Sequence, residues 1–352
     1  MNKSVWYSIG LMSGTSLDGL DICYVKFSKD DNYSFEIIKA DTIQYSEMWN
    51  VKLKNAFTSD ADVLFETDIE YGTFLGEKVN EFIKRHSIRQ VDFVASHGHT
   101  IFHKPEEGIT LQIGSGEQIA KKTDITTVCD FRTQDVKLGG QGAPLVPIGD
   151  ELLFHNYDFC LNLGGFANVS YAKDGKRIAF DICPVNIVLN YYTRKIGLPY
   201  DDKGSLAVSG TINEGLLKAL NELNFYKQNP PKSLGLEWVE AFIFPLIDSY
   251  GLETKDILRT YVEHVAYQIG KVIQLNSTVL ITGGGAFNSF LIERLEFYLQ
   301  QQLPQAPKLL IDFKEALIFA FLGLLRLTDQ INVLSSVTGA KKDHSSGAVY
   351  NP

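Results

Sequence analysis

The 352-residue sequence predicts an α/β protein of two domains, and three observations support this prediction. The chain is longer than one typical hydrophobic core supports. Strand-like apolar runs alternate with helical patterns from end to end. Residues 5–40 and 157–182 share one order of elements, namely strand, glycine turn, strand, turn and strand, without a residue-level repeat. Because antiparallel strand trios are common in mixed sheets, this similarity alone leaves duplication open.

The first half of the chain contains two helical patterns among short strands. Apolar residues at positions 69, 74, 75, 79 and 82 follow helical spacing and predict a helix over 67–85. A shorter helix is expected at 116–122. Short apolar runs bounded by turn residues predict strands, in chain order, at 5–11, 21–27, 35–40, 91–95, 111–113 and 126–129.

The second half begins with strands at 157–163, 167–172 and 177–182, and continues with helices and one more strand, at 278–282. Glycine and proline cluster at 139–147, where the first series of elements ends, and predict an inter-domain crossing there. We therefore expect domains at 1–147 and 148–352, with the last helix either in the second domain or packed back on the first. The predicted helices are 185–196, 213–221, 238–250, 254–275, 289–301 and 313–328.

Composition excludes some classes of function. The net charge of −9 argues against general nucleic-acid binding, which needs a basic surface, but allows a phosphorylated ligand held by backbone N–H groups. No apolar window approaches the length of a membrane span, and the N-terminal residues lack a signal-peptide pattern. The four cysteines lie far apart in apolar runs, which indicates reduced thiols. These features predict a cytoplasmic protein.

The first candidate site is a turn between two predicted strands. A glycine turn leaves backbone N–H groups free and lets a phosphate approach them, and hydroxyls add donors. Asp18 or Asp21 is a candidate ligand for Mg²⁺. The turn lacks the lysine and the spacing of a Walker A loop, and a polar hairpin turn is the alternative. The candidate phosphate ligands are Ser13, Gly14, Thr15, Ser16, Asp18, Gly19 and Asp21.

Two more glycine turns occupy comparable positions in the second half. Gly164 and Gly165 follow the strand at 157–163, at the point equivalent to the first turn. Gly283, Gly284 and Gly285 follow the strand at 278–282, and three consecutive glycines exceed what an ordinary strand-to-helix turn needs. These turns predict further contacts with a nucleotide.

Asp181 is the candidate general base, because it is predicted at the end of a strand before a helix, where α/β active sites lie. A turn aspartate is the alternative. Three histidines at 97, 99 and 103 favour a polar loop lining a substrate pocket over a metal site. Arg132, close to Asp130, is a candidate for fixing a substrate carboxylate, or for a structural ion pair.

These segments together resemble the anhydro-N-acetylmuramic acid kinases over nearly the whole chain. The segments that carry the resemblance are IGLMSGTSLDGLD, SHGHTIFHKP, TLQIGSGEQIA, DFRTQDVKLGGQGAPLVP, LNLGGFANVS, FDICPVN, ITGGGAFN and SVTGA. Several of them are long and specific. The resemblance implies two RNase H-like domains of the actin/Hsp70/sugar-kinase superfamily, with ATP in the cleft between them, and a homodimer.

The resemblance also implies a reaction. 1,6-Anhydro-N-acetylmuramic acid, ATP and water give N-acetylmuramic acid 6-phosphate and ADP during peptidoglycan recycling. Asp181 matches the catalytic aspartate, which would deprotonate the attacking water. The turn at 13–21 would contact the ATP phosphates with Mg²⁺, and Gly283–Gly285 the adenosine. The residues expected in or near the sugar pocket are His97, Asp130, Arg132, Asn186 and Glu315.

The chain departs from the family pattern after Asp181. Ile182, Cys183 and Val185 stand where the family usually has threonine and two glycines, and His99 stands where glutamine is usual. Asp181 and Asn186 are kept. The altered loop leaves open a kinase or hydrolase of the same fold acting on another amino sugar. The implied superfamily, which includes Hsp70 relatives, leaves open a nucleotide-dependent sensor.

Overall fold

The computed structural model describes residues 4–14 and 17–352 and divides the chain into two compact units. The first unit comprises Met1–Leu153 and Phe313–Pro352, and the second comprises Phe154–Asp312. The chain thus leaves the first unit after Leu153 and returns to it within its last long helix. The glycine- and proline-rich stretch at 139–147 lies inside the first unit, so the prediction of a crossing at that stretch is wrong.

The first unit is built on a mixed sheet of seven strands in the order β11-β6-β4-β1-β2-β3, with β5 paired to β4. The β1, β2 and β3 strands form an antiparallel trio, and β4 lies parallel to β1. The strands are β1 (Val5–Ser13), β2 (Leu20–Lys29), β3 (Tyr33–Ile43), β4 (Phe93–Lys104), β5 (Ile109–Ile113), β6 (Thr127–Cys129) and β11 (Ala348–Tyr350).

Helices cover this sheet. Ser46 and Asp60 cap the first two helices by accepting hydrogen bonds from backbone N–H groups of the first turn. A Cβ at Gly10 of β1 would collide with the carbonyl of Ala316, so the glycine lets the last long helix pack directly on the sheet. The helices are α1 (Glu47–Ala56), α2 (Ala61–Arg85), α3 (Gly116–Thr123), α4 (Thr133–Lys137), α5 (Pro147–Leu153), α13 (Lys308–Leu327) and α14 (Ser335–Thr338).

The second unit repeats the central pairing of the first. Its sheet has the order β10-β7-β8-β9, in which β7, β8 and β9 form an antiparallel trio and β10 lies parallel to β7. The relation of β10 to β7 is therefore that of β4 to β1, which confirms the α/β class and extends the repeated order seen in the sequence. The strands are β7 (Phe159–Leu163), β8 (Phe166–Lys173), β9 (Lys176–Pro184) and β10 (Val279–Thr282).

The helices of the second unit enclose one apolar core with this sheet. Trp238–Tyr250, expected as one helix, is interrupted by a π-helical turn at Val239–Ile243. The helices are α6 (Asn186–Arg194), α7 (Ser205–Ser209), α8 (Glu214–Asn221), α9 (Leu236–Trp238), α10 (Phe244–Asp248), α11 (Thr254–Gly270) and α12 (Ser289–Leu299).

Two local expectations were wrong. The histidine-rich segment at 97–103 belongs to β4 rather than to a loop, because Gly98 adopts a positive φ of 74° and the strand continues through an irregular register. The α1 helix, at Glu47–Ala56, was not predicted, and only Trp49, Leu53 and Ala56 of it are buried. Among the described residues no helix is long and apolar enough to cross a membrane. The four cysteines are free and buried.

Candidate functional site

The turn between β1 and β2 is tight and glycine-dependent. The Leu17 N–H donates to the carbonyl of Gly14 at 3.2 Å. Gly19 has a φ of 147°, and a Cβ there would lie 2.8 Å from the carbonyl oxygen of Ile43, so a side chain is excluded. Asp18 is exposed on this turn. Thr15 and Ser16, also predicted as phosphate ligands, lie outside the described residues.

Asp21 lies on β2 beside this turn. Its Oδ1 accepts a hydrogen bond of 2.6 Å from the hydroxyl of Thr42 on β3. The neighbouring strand therefore orients one carboxylate oxygen. In the described part of the chain, no group of three or more His, Cys, Asp or Glu side chains forms a metal cluster.

Ser13 takes part in a buried chain of hydrogen bonds. The Tyr45 hydroxyl donates to Ser13 Oγ at 2.7 Å, and Ser13 Oγ lies 2.8 Å from His99 Nδ1. The hydroxyls of Tyr45 and Tyr71 are 2.6 Å apart. Since each hydroxyl has one proton and Tyr45 donates its proton to Ser13, Tyr71 donates to Tyr45. The Ser13 side chain is therefore used within the first unit.

His99 is the last member of this chain of hydrogen bonds. Its Nδ1 accepts from or donates to Ser13 Oγ according to the tautomer of the ring. Burial lowers the pKa of His99 to about 4, so the ring is neutral at pH 7. Phe57 and Tyr71 pack edge-on against it, with ring centroids 6.3 Å away in both cases. His99 thus contacts the end of β1 from which the turn to β2 begins.

Arg132 and His97 form the second polar arrangement of the first unit. Arg132 donates from Nε and Nη2 to His97 Nε2, at 3.0 and 2.9 Å, and from Nη1 to the carbonyl of Gly142 at 2.8 Å. His97 Nδ1 lies 2.9 Å from the carbonyl oxygen of Gly98. Only the neutral ring with its proton on Nδ1 satisfies both contacts.

Electrostatics agree with this assignment. Burial, together with the charge of Arg132, holds the pKa of His97 well below its ordinary value. Burial lowers the pKa of Arg132 to about 10, and the carboxylates of Glu315 and Asp135 act in the opposite direction. Arg132 therefore remains a cation at pH 7.

Glu315 and Asp130 are the other first-unit residues expected in the sugar pocket. Glu315, on α13, keeps solvent access, and desolvation by the surrounding protein raises its pKa while Arg132 and Lys314 lower it. Asp130 adopts a positive φ of 53° and accepts a hydrogen bond of 3.3 Å from the N–H of Thr133. Aspartate adopts this left-handed conformation more readily than most non-glycine residues, and eight other non-glycine residues in the described part of the chain also have a positive φ.

In the second unit the structure brings together three predicted positions at the ends of β7 and β10. The Asn186 side chain, at the start of α6, donates to the carbonyls of Leu163 and Gly164 at 3.1 and 2.8 Å. A Cβ at Gly283 would lie 2.6 Å from the Asn162 side chain. A Cβ at Gly165 or Gly284, in contrast, would meet a single neighbouring atom at 3.9 Å, which is an ordinary van der Waals distance. A side chain at Gly283 is thus excluded by β7, whereas the backbone at Gly165 and Gly284 is less crowded.

Asp181 lies within β9, which continues to Pro184, rather than immediately before the helix as expected. Its Oδ2 accepts a hydrogen bond of 2.8 Å from the N–H of Leu234, and its own N–H donates to the carbonyl of Lys232 at 3.1 Å. Burial raises the pKa of Asp181, and the Leu234 N–H opposes this effect. The carboxyl is thus partly buried and held by one neighbouring loop.

A cavity of about 580 Å³ adjoins the triple-glycine turn. Its size falls in the range of small-molecule sites. Ile281, Ala286 and Phe287 supply an apolar wall, and Glu293, Glu296 and Gln305 supply polar atoms.

Several site residues could not be found from the sequence. Tyr45 and the N–H of Leu234 hydrogen-bond directly to Ser13 and Asp181. Tyr71 contacts Tyr45, and Thr338 contacts Asp135, which accepts from Gly142 beside Arg132. The sequence indicated only Thr338 and Asp135, which belong to the SVTGA and DFRTQDVKLGGQGAPLVP segments that carry part of the family resemblance.

Comparisons with known proteins agree over the full length of the chain. Residues 6–352 match the family model described as anhydro-N-acetylmuramic acid kinase. The chain is 35% identical over 374 residues to the anhydro-N-acetylmuramic acid kinase of Pasteurella multocida, covering 99% of this chain and 98% of that protein. It is 34% identical over 363 residues to the protein of the same name from Xanthomonas oryzae pv. oryzae, covering 97% and 96%.

Solved structures align more distantly. Component A of the (R)-2-hydroxyglutaryl-CoA dehydratase from Acidaminococcus fermentans aligns at 15% identity and a TM-score of 0.47, covering 90% of this chain and 96% of that chain. A glucokinase of the ROK family from Streptomyces griseus, in complex with glucose and AMPPNP, aligns at 9% identity and a TM-score of 0.35, covering 86% and 92%. On the full-length family match and the relatives of about one-third identity, the chain belongs to the anhydro-N-acetylmuramic acid kinase family.

Proposed function

We propose that this chain is an ATP-dependent kinase that opens 1,6-anhydro-N-acetylmuramic acid with water and phosphorylates O6, giving N-acetylmuramic acid 6-phosphate in cell-wall recycling. The match of residues 6–352 to the family model carries this proposal. The residues that the reaction needs are kept in both units, and their local geometry is compatible with the roles given below.

ATP is assigned to the glycine turns that the sequence predicts as nucleotide ligands. Its phosphates are assigned to the turn after β1 and to Gly164 and Gly165. The Gly164 N–H already donates to the carbonyl of Phe166, so Gly165, which has only Ile187 within 4 Å of a Cβ position, is the more open of the two. The adenosine is assigned to Gly283–Gly285 and the adjoining cavity, whose apolar wall suits a base and whose carboxylates suit its amino group.

Arg132 is assigned to the carboxylate of the sugar's lactyl group. Three of its five N–H donors are used on His97 and Gly142. Two have no partner among residues 4–14 and 17–352, and two is the number that a bidentate carboxylate needs. His97 fixes the guanidinium plane. Glu315, Asp130 and Asn186 are assigned to polar groups of the same sugar.

Asp181 is assigned as the general base. It takes a proton from a water molecule whose oxygen forms a bond to the anomeric carbon C1. The bond from C1 to O6 breaks, and O6 forms a bond to the γ-phosphorus of ATP as ADP leaves. A carboxylate with a raised pKa accepts a proton more readily, which suits this role.

Mg²⁺ is assigned to the ATP phosphates, with Asp18 and Asp21 as its candidate protein ligands. The exposed carboxylate of Asp18 fits this assignment, because Mg²⁺ bound to ATP keeps several waters and needs only one or two carboxylates. When bound, the ion would neutralise charge on the phosphates. Asp21 has one oxygen oriented by Thr42.

The unusual residues after Asp181 favour the family substrate over another amino sugar. Ile182, Cys183 and Val185 are all buried in the apolar core of the second unit, at 2%, 0% and 0% exposure. Their side chains therefore alter the interior packing rather than an exposed binding surface. We also propose that the protein is cytoplasmic, because its four free cysteines suit a reducing compartment. The homodimer that the family resemblance implies is part of the same proposal.

The test is turnover of the anhydro sugar in H₂¹⁸O, with ADP release and product mass measured together. We expect ADP and sugar phosphate in equal amounts, with ¹⁸O at C1. Ring opening without ADP release would instead indicate a hydrolase, and ATPase activity that no sugar stimulates would indicate a sensor. The absence of turnover at millimolar sugar would contradict the proposal.

A further inference from the structure

A buried carboxylate joins two segments of the first unit that are far apart in the sequence. Asp135, on α4, is fully buried. Its Oδ2 accepts a hydrogen bond of 2.7 Å from the N–H of Gly142, and its Oδ1 accepts one of 2.7 Å from the hydroxyl of Thr338. The C-terminal SVTGA segment is thus tied to the glycine-rich loop at 139–144.

Backbone contacts reinforce this connection. The Gln141 N–H donates to the carbonyl of Thr338 at 2.8 Å, and the Lys341 N–H donates to the carbonyl of Leu138 at 3.1 Å. A Cβ at Gly140 would collide with the Asp135 carboxylate. The loop therefore wraps around this carboxylate with no room for a side chain.

Gly142 connects Asp135 to Arg132 through its two backbone polar groups. Its N–H is held by Asp135, and its carbonyl accepts from Arg132 Nη1 at 2.8 Å. The same guanidinium donates to His97 through Nε and Nη2. Movement of the Gly142 peptide would therefore remove one of the two anchors that orient Arg132.

We propose that Asp135 and Thr338 are positioning residues for the sugar site, because they hold the Gly142 carbonyl that orients Arg132. The Thr338 hydroxyl stabilises Asp135 Oδ1, and Asp135 Oδ2 in turn fixes the loop. The kinetic readout of this inference rests on the proposed function, whereas its spectroscopic readout does not.

The test compares Thr338→Val, which removes the hydroxyl at nearly constant shape, with Thr338→Ser, which keeps it. We expect Thr338→Val to raise the KM for the anhydro sugar about tenfold, the equivalent of one lost hydrogen bond to a charged group, with kcat and the KM for ATP nearly unchanged. Thr338→Ser is expected to restore the wild-type KM. Thr193→Val, which removes a buried hydroxyl from the second unit, is the matched control.

The second readout is the ¹⁵N signal of His97 Nε2, assigned with His97→Gln. In Thr338→Val this signal is expected to move downfield as the donors of Arg132 shift, and to stay in place in Thr193→Val. If the wild-type enzyme does not turn over the anhydro sugar, the proposed function fails, and the His97 signal still decides the inference.

Asp135→Asn keeps the shape of the side chain and is the alternative test variant if Thr338→Val does not fold. Its amide oxygen can accept from Gly142 while its amide nitrogen donates to Thr338, so we expect a smaller change than in Thr338→Val. An unchanged His97 signal in both variants would overturn the inference. So would an equal rise in sugar KM in Thr338→Ser and Thr338→Val, because the hydroxyl would then have no part in it.

Discussion

His97 accepts two hydrogen bonds from Arg132 through a single ring nitrogen, at 3.0 and 2.9 Å. A protonated imidazole could not accept them, so the contact requires a neutral ring, and burial beside a cation keeps the pKa of His97 low. The histidine therefore acts as a fixed acceptor that orients a guanidinium. This distinguishes the pair from a proton-transfer site.

Arg132→Lys is expected to raise the KM for the anhydro sugar by about 10- to 100-fold, because an ammonium group lacks the planar fork that contacts His97, Gly142 and a carboxylate together. The KM for ATP should change little. Steady-state kinetics with each substrate varied would show this. Arg85→Lys, at an exposed site in the same unit, is the control. Equal sugar KM values for Arg132→Lys and wild type would remove Arg132 from the sugar site.

Asp181→Asn is expected to lower kcat by on the order of 10²- to 10⁴-fold if Asp181 is the base. In the wild type, kcat/KM should fall as the pH drops through the pKa of Asp181, which burial raises above the ordinary value of 3.8. Asp174→Asn, in the exposed turn between β8 and β9, is the matched control. A variant with near-wild-type turnover would show that another group accepts the proton.

Tyr45→Phe is expected to destabilise the protein by about 1–3 kcal/mol, because Ser13 loses its donor and the Tyr71 hydroxyl loses its acceptor in a buried setting. Urea unfolding of the two proteins would measure the difference. Tyr7→Phe in the same unit is the control, since no hydrogen bond of its hydroxyl to the described residues is seen. An unfolding midpoint equal to that of wild type would mean that the chain of hydroxyls contributes no stability.

The alternation of strands and helices was predictable, because buried strands and amphipathic helices have recognisable patterns of apolar residues in the sequence. The glycine turns were predictable for the same local reason, since Gly19 and Gly283 need conformations or approaches that few other residues allow. Tyr45 and Thr338 were not, because their roles arise from partners 32 and 203 residues away. Such hydrogen bonds leave no periodic signal. The extent of β4 was missed because Gly98 within it resembles a turn residue.

Glu263→Gln is expected to destabilise the second unit. Glu263 on α11 is buried and accepts hydrogen bonds from Arg259, Arg294 and Tyr298 at 2.7–3.0 Å. Hydrogen bonds to charged groups are worth about 1.5–3 kcal/mol, and the variant leaves two guanidinium groups without their counter-charge. Urea unfolding at pH 7 would measure the loss, with Glu222→Gln at an exposed site as the control.

The same variant gives a pH dependence with a defined sign. Burial alone would raise the pKa of Glu263, but hydrogen bonds from Arg294, Tyr298 and Arg259 lower it below the ordinary value of 4.5. A carboxyl whose pKa is lower in the folded state contributes stability above its unfolded pKa and loses it as the pH falls through the folded pKa. The difference between wild type and Glu263→Gln should therefore be largest near neutral pH and shrink below about pH 4. A difference that stays constant from pH 7 down to acid would mean that the charge of Glu263 contributes nothing and that only its shape matters.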